Sequence, residues 1–384
     1  MKWEYGRRKK RTGNRFLVLL ILLLGALAVA GYALMRSGVL RWPPKVAATV
    51  HGDAGSGTVA GSSTDAGGGM VAGDDAGDPG EYVDSQFLMD TYVSIRAFGQ
   101  GARDAVLAAF DEMRRIEAMT SRFVPTSDVS RVNQAAGLDP VQVSDETFML
   151  LEKARECSEL SGGAFDVTVG PIVDAWGFGT GSPRVPDPAV LAKAQSLVDF
   201  RAMELDPVQK TARLAAPGMS IDLGGIAKGY AADRAAAVLR ERGVKHALID
   251  AGGNIVAVGT RPDGSPWHIG IRDPRGSSPT DTIGPVVKVE DEAVVTSGDY
   301  ERFFIEDGHR YHHIFDPKTG RPADRAQSAT IIASNSLDAD MLSTAVFVLG
   351  PVEGPKILTG LDGVSAMVVG PDGHLTFSPG FRAN

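Results

Sequence analysis

An uncharged apolar run from Phe16 to Met35 follows fifteen residues that carry seven Lys/Arg against one acid, Glu4, and this run divides the chain. Twenty residues at about 1.5 Å rise span about 30 Å, the thickness of a hydrocarbon core. The basic flank belongs on the cytoplasmic side, which places everything after Met35 across the membrane. A cleaved signal peptide is the other reading, with Ala28-Val29-Ala30 as a small-residue cleavage site, although the run is longer than a usual signal core. Either way the rest of the chain is exported. From Ala47 to Gly80 the sequence is mostly Gly, Ala, Ser, Thr and Asp, without Lys or Arg. Such a stretch buries too little surface to offset its ordering entropy, so it reads as a flexible tether. The expected organisation is a basic N-terminus (1–15), a membrane helix or signal peptide (16–35), a linker (36–83) and one folded domain (84–384).

The folded part has an ordinary globular composition: over the whole chain 43% of residues are hydrophobic and 22% charged. A net charge of −8, with no basic stretch after residue 45, argues against nucleic acid as a partner, because phosphate neutralisation needs a basic surface. The single cysteine, Cys157, excludes an intrachain disulfide, a thiolate metal cluster and a lipid-modified N-terminal cysteine.

Periodicity predicts the elements. Gln86 to Phe98 alternates Phe87, Met89, Thr91, Val93 and Ile95 on one face of a half-buried strand, and Gly101 to Met119 spaces Val106, Phe110, Met113 and Ile116 as a helix. A second helix runs from the N-cap Ser144 to Leu160, and a third from Gly224-Gly225 to Gly243. Short strands follow at 246–249, 255–258, 267–271, 286–289 and 293–296, then a hairpin about Asp307-Gly308, a helix at 338–349 and strands near 364–369 and 375–377. Strands in runs with helices between groups indicate an α+β fold.

Three segments carry chemistry. Ile221 to Tyr230 puts glycines at a helix start with Lys228 one turn in, an arrangement suited to phosphate, yet it has neither Walker A nor dinucleotide-fingerprint spacing. Asp340 and Thr344 are four apart, so a helix sets both oxygens on one face, which suits a hard cation such as Mg²⁺; a helix-capping Asp338 with a first-turn Asp340 is the plainer alternative. His312 and His313 precede an Asp316-Pro317 turn, and since adjacent strand residues face opposite ways, one of them at most serves a given site as a base.

Taken together and in order, Met89-Asp90-Thr91, Ser121-Arg122-Phe123 with Ser127 and Asn133, Gly163 to Asp166, Asp222 to Gly229, Asp250 to Asn254, Ser297 to Tyr300, His313 to Gly320 and Ala339 to Thr344 resemble the FAD:protein FMN transferase family, also called ApbE. The resemblance covers about residues 84–380 and implies a single catalytic domain of mixed sheets and helices, with the flavin site between two lobes. It implies that Met89, Phe123, Ala164, Phe165, Asp166, Asp222, Lys228 and Ile314 contact FAD, and that Gly225, Asp340 and Thr344 bind Mg²⁺. Lys228 and His313 would then be catalytic, with FAD as substrate. Asp90 stands where a Gly is common in the family and Gly225 where Ala often occurs. The implied reaction attaches FMN to a Thr or Ser hydroxyl of an acceptor protein and releases AMP. Implied acceptors are subunits of membrane redox complexes, met at the cytoplasmic membrane by a single-pass enzyme facing the periplasm or cell exterior. Water in place of the acceptor would make an FAD pyrophosphatase, and a flavin-binding protein without turnover is a third reading.

Overall fold

The computed structural model describes residues 80–382 apart from Pro279. The basic N-terminus, the apolar run and the linker up to residue 79 lie outside the described residues.

The run expected as one strand from Gln86 to Phe98 is a hairpin. Met89 and Asp90 have φ of 51° and 61°, the left-handed region, and the chain reverses there. Strand β1 (Glu81–Leu88) pairs antiparallel with β2 (Thr91–Phe98), Leu88 opposite Thr91 and Phe87 opposite Tyr92. A two-residue turn inverts the parity of the alternation. Leu88 therefore faces inward with Val93 and Ile95, while Phe87 is exposed beside Tyr92. The strand also begins at Glu81, inside the stretch assigned to the linker.

Beyond β2 come β3 (His246–Ala251), β4 (Asn254–Val258), β5 (Ala293–Gly298), β6 (Ser328–Ala333), β7 (Ser365–Val369) and β8 (Leu375–Phe377). These eight strands form one antiparallel sheet in chain order. Their period-two pattern divides the core. Ala247, Ile249, Val256, Val258, Ala293, Val295, Ala329, Ile331, Ala366 and Val368 face one layer; Leu248, Ala257, Val294, Ile332, Met367 and Val369 face the other. The second layer is closed by the two-stranded antiparallel ribbon 267–269/287–289 through Trp267, Ile269, Val287 and Val289.

The first face is covered by helices. In chain order the helices of the domain are α1 (Ala102–Thr120), α2 (Asp128–Gln134), α3 (Asp145–Leu160), α4 (Gly170–Trp176), α5 (Pro188–Gln195), α6 (Ala227–Glu241) and α7 (Ser336–Glu353), of which α4 and α5 belong to a separate cluster. α1 packs on β1, β2 and α6, and α6 packs on α7, which crosses β5 and β6. α7 is apolar around most of its circumference because it is covered on most sides: Ala339, Met341, Leu342, Ala345, Val346, Phe347 and Val348 are all buried. Ser127, Ser144 and Asn335 cap α2, α3 and α7 with their side chains.

A satellite cluster lies apart from the main core. Trp176 and Phe178 at and after the end of α4 stack with Phe304, Tyr311 and Phe315 from the segment 303–316, and Trp176 Nε1 donates to Gly320 O at 2.9 Å. The antiparallel sheet with helices on one face is the α+β class expected.

The approach of α6 to α7 depends on Gly229. A Cβ there would collide with the backbone carbonyl of Ser336 and lie 2.8 Å from Asp340 Cβ. Gly229→Ala should therefore destabilise the domain by about 1–3 kcal/mol. The check is the urea midpoint, and an unchanged midpoint would show that the two helices have room to spare.

Candidate active site

α6 begins at Ala227, two residues later than the glycines expected to open it. The loop ahead is fixed by Asp222, whose Oδ1 accepts Gly224 N at 2.8 Å and whose Oδ2 lies 3.3 Å from Arg122, itself paired with Asp174 at 2.7 Å. Of the two glycine amides expected to meet an anion, that of Gly224 is thus spent on Asp222. Lys228 Nζ reaches back over the loop, donating to Gly224 O at 3.2 Å and standing 3.5 Å from Asp340 Oδ1.

Asp340, only 3% exposed, accepts Gly229 N on Oδ2 at 2.9 Å, so its two oxygens join two successive residues of α6. One turn further along α7, Thr344 Oγ1 lies 3.3 Å from Ser297 Oγ, which also meets Ser343 Oγ at 2.8 Å. A Cβ on Gly225 would sit 3.5 Å from Thr344 Oγ1 and 3.1 Å from the Phe165 ring, so the glycine loop, Phe165 and the Thr344 face of α7 meet at one place. Asp340 carboxylate, Thr344 hydroxyl and Gly225 carbonyl are all hard oxygen donors, the set that suits Mg²⁺ with water or phosphate oxygens completing its shell. No group of three or more His, Cys, Asp or Glu that would hold a metal occurs among the described residues, so a softer, all-side-chain site is not offered. Sequence spacing assigns Ser297 no role of its own, because its contact with α7 joins elements far apart in the chain.

The two histidines separate as expected. His312 is buried edge-on against Phe347; its Nε2 donates to Ala323 O at 2.8 Å and its Nδ1 accepts Ile314 N at 3.2 Å, so the ring is a neutral structural tie. His313 is half-buried beside Phe178, and its Nδ1 lies 3.3 Å from Arg302 O. A carbonyl only accepts, so Nδ1 carries the proton and Nε2 is left as a bare acceptor. Burial, with Arg302 and Lys228 adding positive charge, holds His313 well below the ordinary imidazole range.

The other residues assigned from the resemblance fall around this centre in different ways. Met89 N donates to Glu117 Oε1 at 2.9 Å, and Asp90 pairs with Arg302 at 2.9 Å, joining the β1–β2 turn to the segment that carries His313. The positive φ at Asp90 is the conformation a Gly adopts freely, which matches the Gly common there in the family. Phe123 is 60% exposed and rests on Gly179, next to the satellite cluster. Ala164, Phe165 and Ile314 are buried, so only edges of these residues are open to a ligand. Both oxygens of Asp166 are engaged inside the fold, Oδ1 by Thr168 N and Oγ1 and Oδ2 by Phe200 N, and burial pushes its carboxyl up. Its part is to hold the turn that carries Ala164 and Phe165.

The ApbE family profile matches residues 89–368. The chain is 38% identical over 318 residues to an FAD:protein FMN transferase of Treponema pallidum, an alignment covering 78% of this chain and 87% of that one. A Klebsiella pneumoniae protein of the same name is 36% identical, with 75% and 89% covered. Among solved structures, the ApbE protein of Thermotoga maritima superposes with a TM-score of 0.72 at 35% identity, covering 78% of this chain and 97% of that one. The flavin transferase ApbE of Vibrio cholerae gives 0.71 at 29% identity, with 79% and 98% covered.

His313 should titrate well below the free-imidazole midpoint of about 6.5 in a histidine C2-proton NMR titration of the purified chain. A midpoint at or above that value would mean that Nε2 is protonated too readily to stand as the free base described.

Proposed function

Since the chain belongs to the ApbE family, we propose that it is a Mg²⁺-dependent FAD:protein FMN transferase that modifies a Thr or Ser hydroxyl of extracytoplasmic proteins. The observation that carries the reading is the convergence at one place of Lys228, Gly225, Asp340 and Thr344, drawn from α6 with the loop ahead of it and from α7, over a hundred residues apart in sequence, with His313 close enough to Lys228 to feel its charge.

The substrate supplies a pyrophosphate, and breaking it needs charge neutralisation and positioning more than covalent help from the protein. Asp340, Thr344 and the Gly225 carbonyl would hold the cation, which when bound would offset negative charge on the phosphate oxygens. Lys228, tethered by Gly224 O and Asp340, is placed to pair with charge gathering on those oxygens as the leaving group departs. The acceptor hydroxyl oxygen forms a bond to the FMN-side phosphorus, the bond from that phosphorus to the bridging oxygen breaks, and AMP leaves with that oxygen. His313 Nε2 takes the hydroxyl proton, being neutral and already oriented through Nδ1. FMN remains on the acceptor as a phosphoester. Asp222, Phe165, Met89 and Phe123 would line the FAD site, with Ala164, Ile314 and the turn held by Asp166 shaping its wall.

The apolar run 16–35 would anchor the enzyme in the cytoplasmic membrane with the catalytic domain outside, and the tether would let it reach acceptors on the same membrane, among them subunits of redox complexes. The membrane helix, the linker and a single catalytic domain, opened at Glu81 by β1, are part of this proposal.

Asp340→Asn keeps the volume and one acceptor but removes the charge, and should lower transfer by about 10²-fold or more with the fold retained. His313→Ala should slow transfer by about 10²–10⁴-fold and spare FAD binding. Both are read by mass spectrometry of the FMN adduct on Thr or Ser after incubation with FAD, Mg²⁺ and candidate acceptors. Normal transfer by Asp340→Asn would sink the metal assignment, and rapid AMP release without acceptor would turn the reading to hydrolysis.

A further inference from the structure

α6 is an alanine-rich helix with one ill-fitting residue in its middle. Asp233 is a poor helix former placed in the packed interval between α6 and α7, where burial pushes its carboxyl up to about 6. Among the described residues its hydrogen-bond partners are on α7: Oδ1 accepts Ser336 N and Oδ2 accepts Leu337 N, each at 2.8 Å. These are the first two amides of α7, which have no partner within their own helix. The N-cap Asn335 cannot serve them, since its side-chain oxygen already accepts Asp338 N at 2.8 Å. One turn earlier on α6, Gly229 lies against Ser336 O and its N–H donates to Asp340 Oδ2. Two successive turns of α6 therefore grip the first two turns of α7 by groups that leave no freedom in rotation or height.

We infer that Asp233 is a positioning residue that locks the N-terminal turn of α7 against α6 and so sets Asp340 and Thr344 opposite Lys228 and Gly225. The inference rests on the metal assignment of the preceding reading. Asp233 touches none of those four groups and acts through the helix alone, as residues behind metal ligands commonly do. A carboxylate suits this position because its two oxygens meet two adjacent amides at once, and the fixed spacing of those amides admits one orientation of the helix.

The experiment titrates Mg²⁺ into the full-length chain loaded with FAD, by calorimetry, for wild type, Asp233→Asn, Asp233→Ala and Leu239→Ala, with amide exchange at Ser336 and Leu337 followed in parallel. Leu239 is a fully buried α6 side chain away from the α7 N-terminus, so its truncation destabilises by a cavity alone. Both Asp233 variants should weaken Mg²⁺ binding by about 10- to 100-fold and speed exchange at the two amides, with FAD affinity unchanged. Leu239→Ala should change neither. Asn keeps the volume and one acceptor and so remains informative if the Ala variant fails to fold. Unchanged Mg²⁺ affinity in Asp233→Asn, with wild type binding normally, would overturn the positioning role and leave the metal site standing. Wild type failing to bind Mg²⁺ would overturn the assignment of Asp340 and Thr344, and the inference with it.

Discussion

The close approach of α6 and α7 governs everything chemical in this molecule. Two helices normally keep their backbones apart by the side chains between them, and the contact here is possible because Gly229 presents none to Ser336 O and Asp340. The gain is that a carboxylate on one helix accepts a backbone N–H on the other, so the Asp340 side chain is held by a donor that is itself fixed in the α6 backbone. The cost is a buried carboxylate, offset by that N–H and by Lys228. Asp233 repeats the device one turn on, again with a carboxylate from one helix satisfying amides of the other. α6 and α7 thus form one rigid platform, and the sheet beneath supplies Ser297 to its far end.

What can be read from the sequence follows the range of the interactions involved. The Asp340–Thr344 pair is a local fact, since four residues of helix return a side chain to the same face. Lys228, at the start of α6, and the capping serines Ser127 and Ser144 are local in the same way. The hairpin at Met89-Asp90 escapes a pattern reading because the two residues are not a usual left-handed turn pair, and the alternation runs on across them. The missed turn puts Phe87 with the core and hides Leu88. The short helices α2, α4 and α5 and the small sheet 141–142/203–206/211–214 are equally illegible: seven or eight residues of helix, or two to four of strand, carry too little periodicity to be seen and owe their form to tertiary packing.

The site residues divide along the same line. The resemblance implies an FAD contact for Asp166 and a catalytic part for His313, and the two sit in different surroundings in the structure. Asp166 is closed on itself by Thr168 and Phe200, a use of a carboxylate that shapes a turn. His313 has one nitrogen fixed and the other free, and burial, with the positive charges of Arg302 and Lys228 nearby, keeps it neutral. His312, next to it, satisfies both nitrogens within the backbone. Sequence alone says that adjacent histidines face opposite ways, but not which of the two finds carbonyl and amide partners inside the fold.

The charge count at the centre favours a dianionic ligand under the proposed function. Asp340 contributes one negative charge and Lys228 one positive charge, so the protein's own groups nearly cancel there. A divalent cation held by one carboxylate and two neutral oxygens, those of Thr344 and Gly225, would leave the site about two charges positive. The pyrophosphate of FAD carries two negative charges, and the match is close. A site with two or three carboxylates would bind the cation more firmly and repel the phosphates it must neutralise, because each added acid raises the local negative potential. A single buried acid, held by Gly229 and backed by neutral donors, would keep the cation's charge available to the substrate under that proposal. His313 fits the same proposal, since an imidazole kept neutral near Lys228 would add no charge before the hydroxyl proton arrives and would accept that proton as negative charge builds on the transferred phosphoryl group.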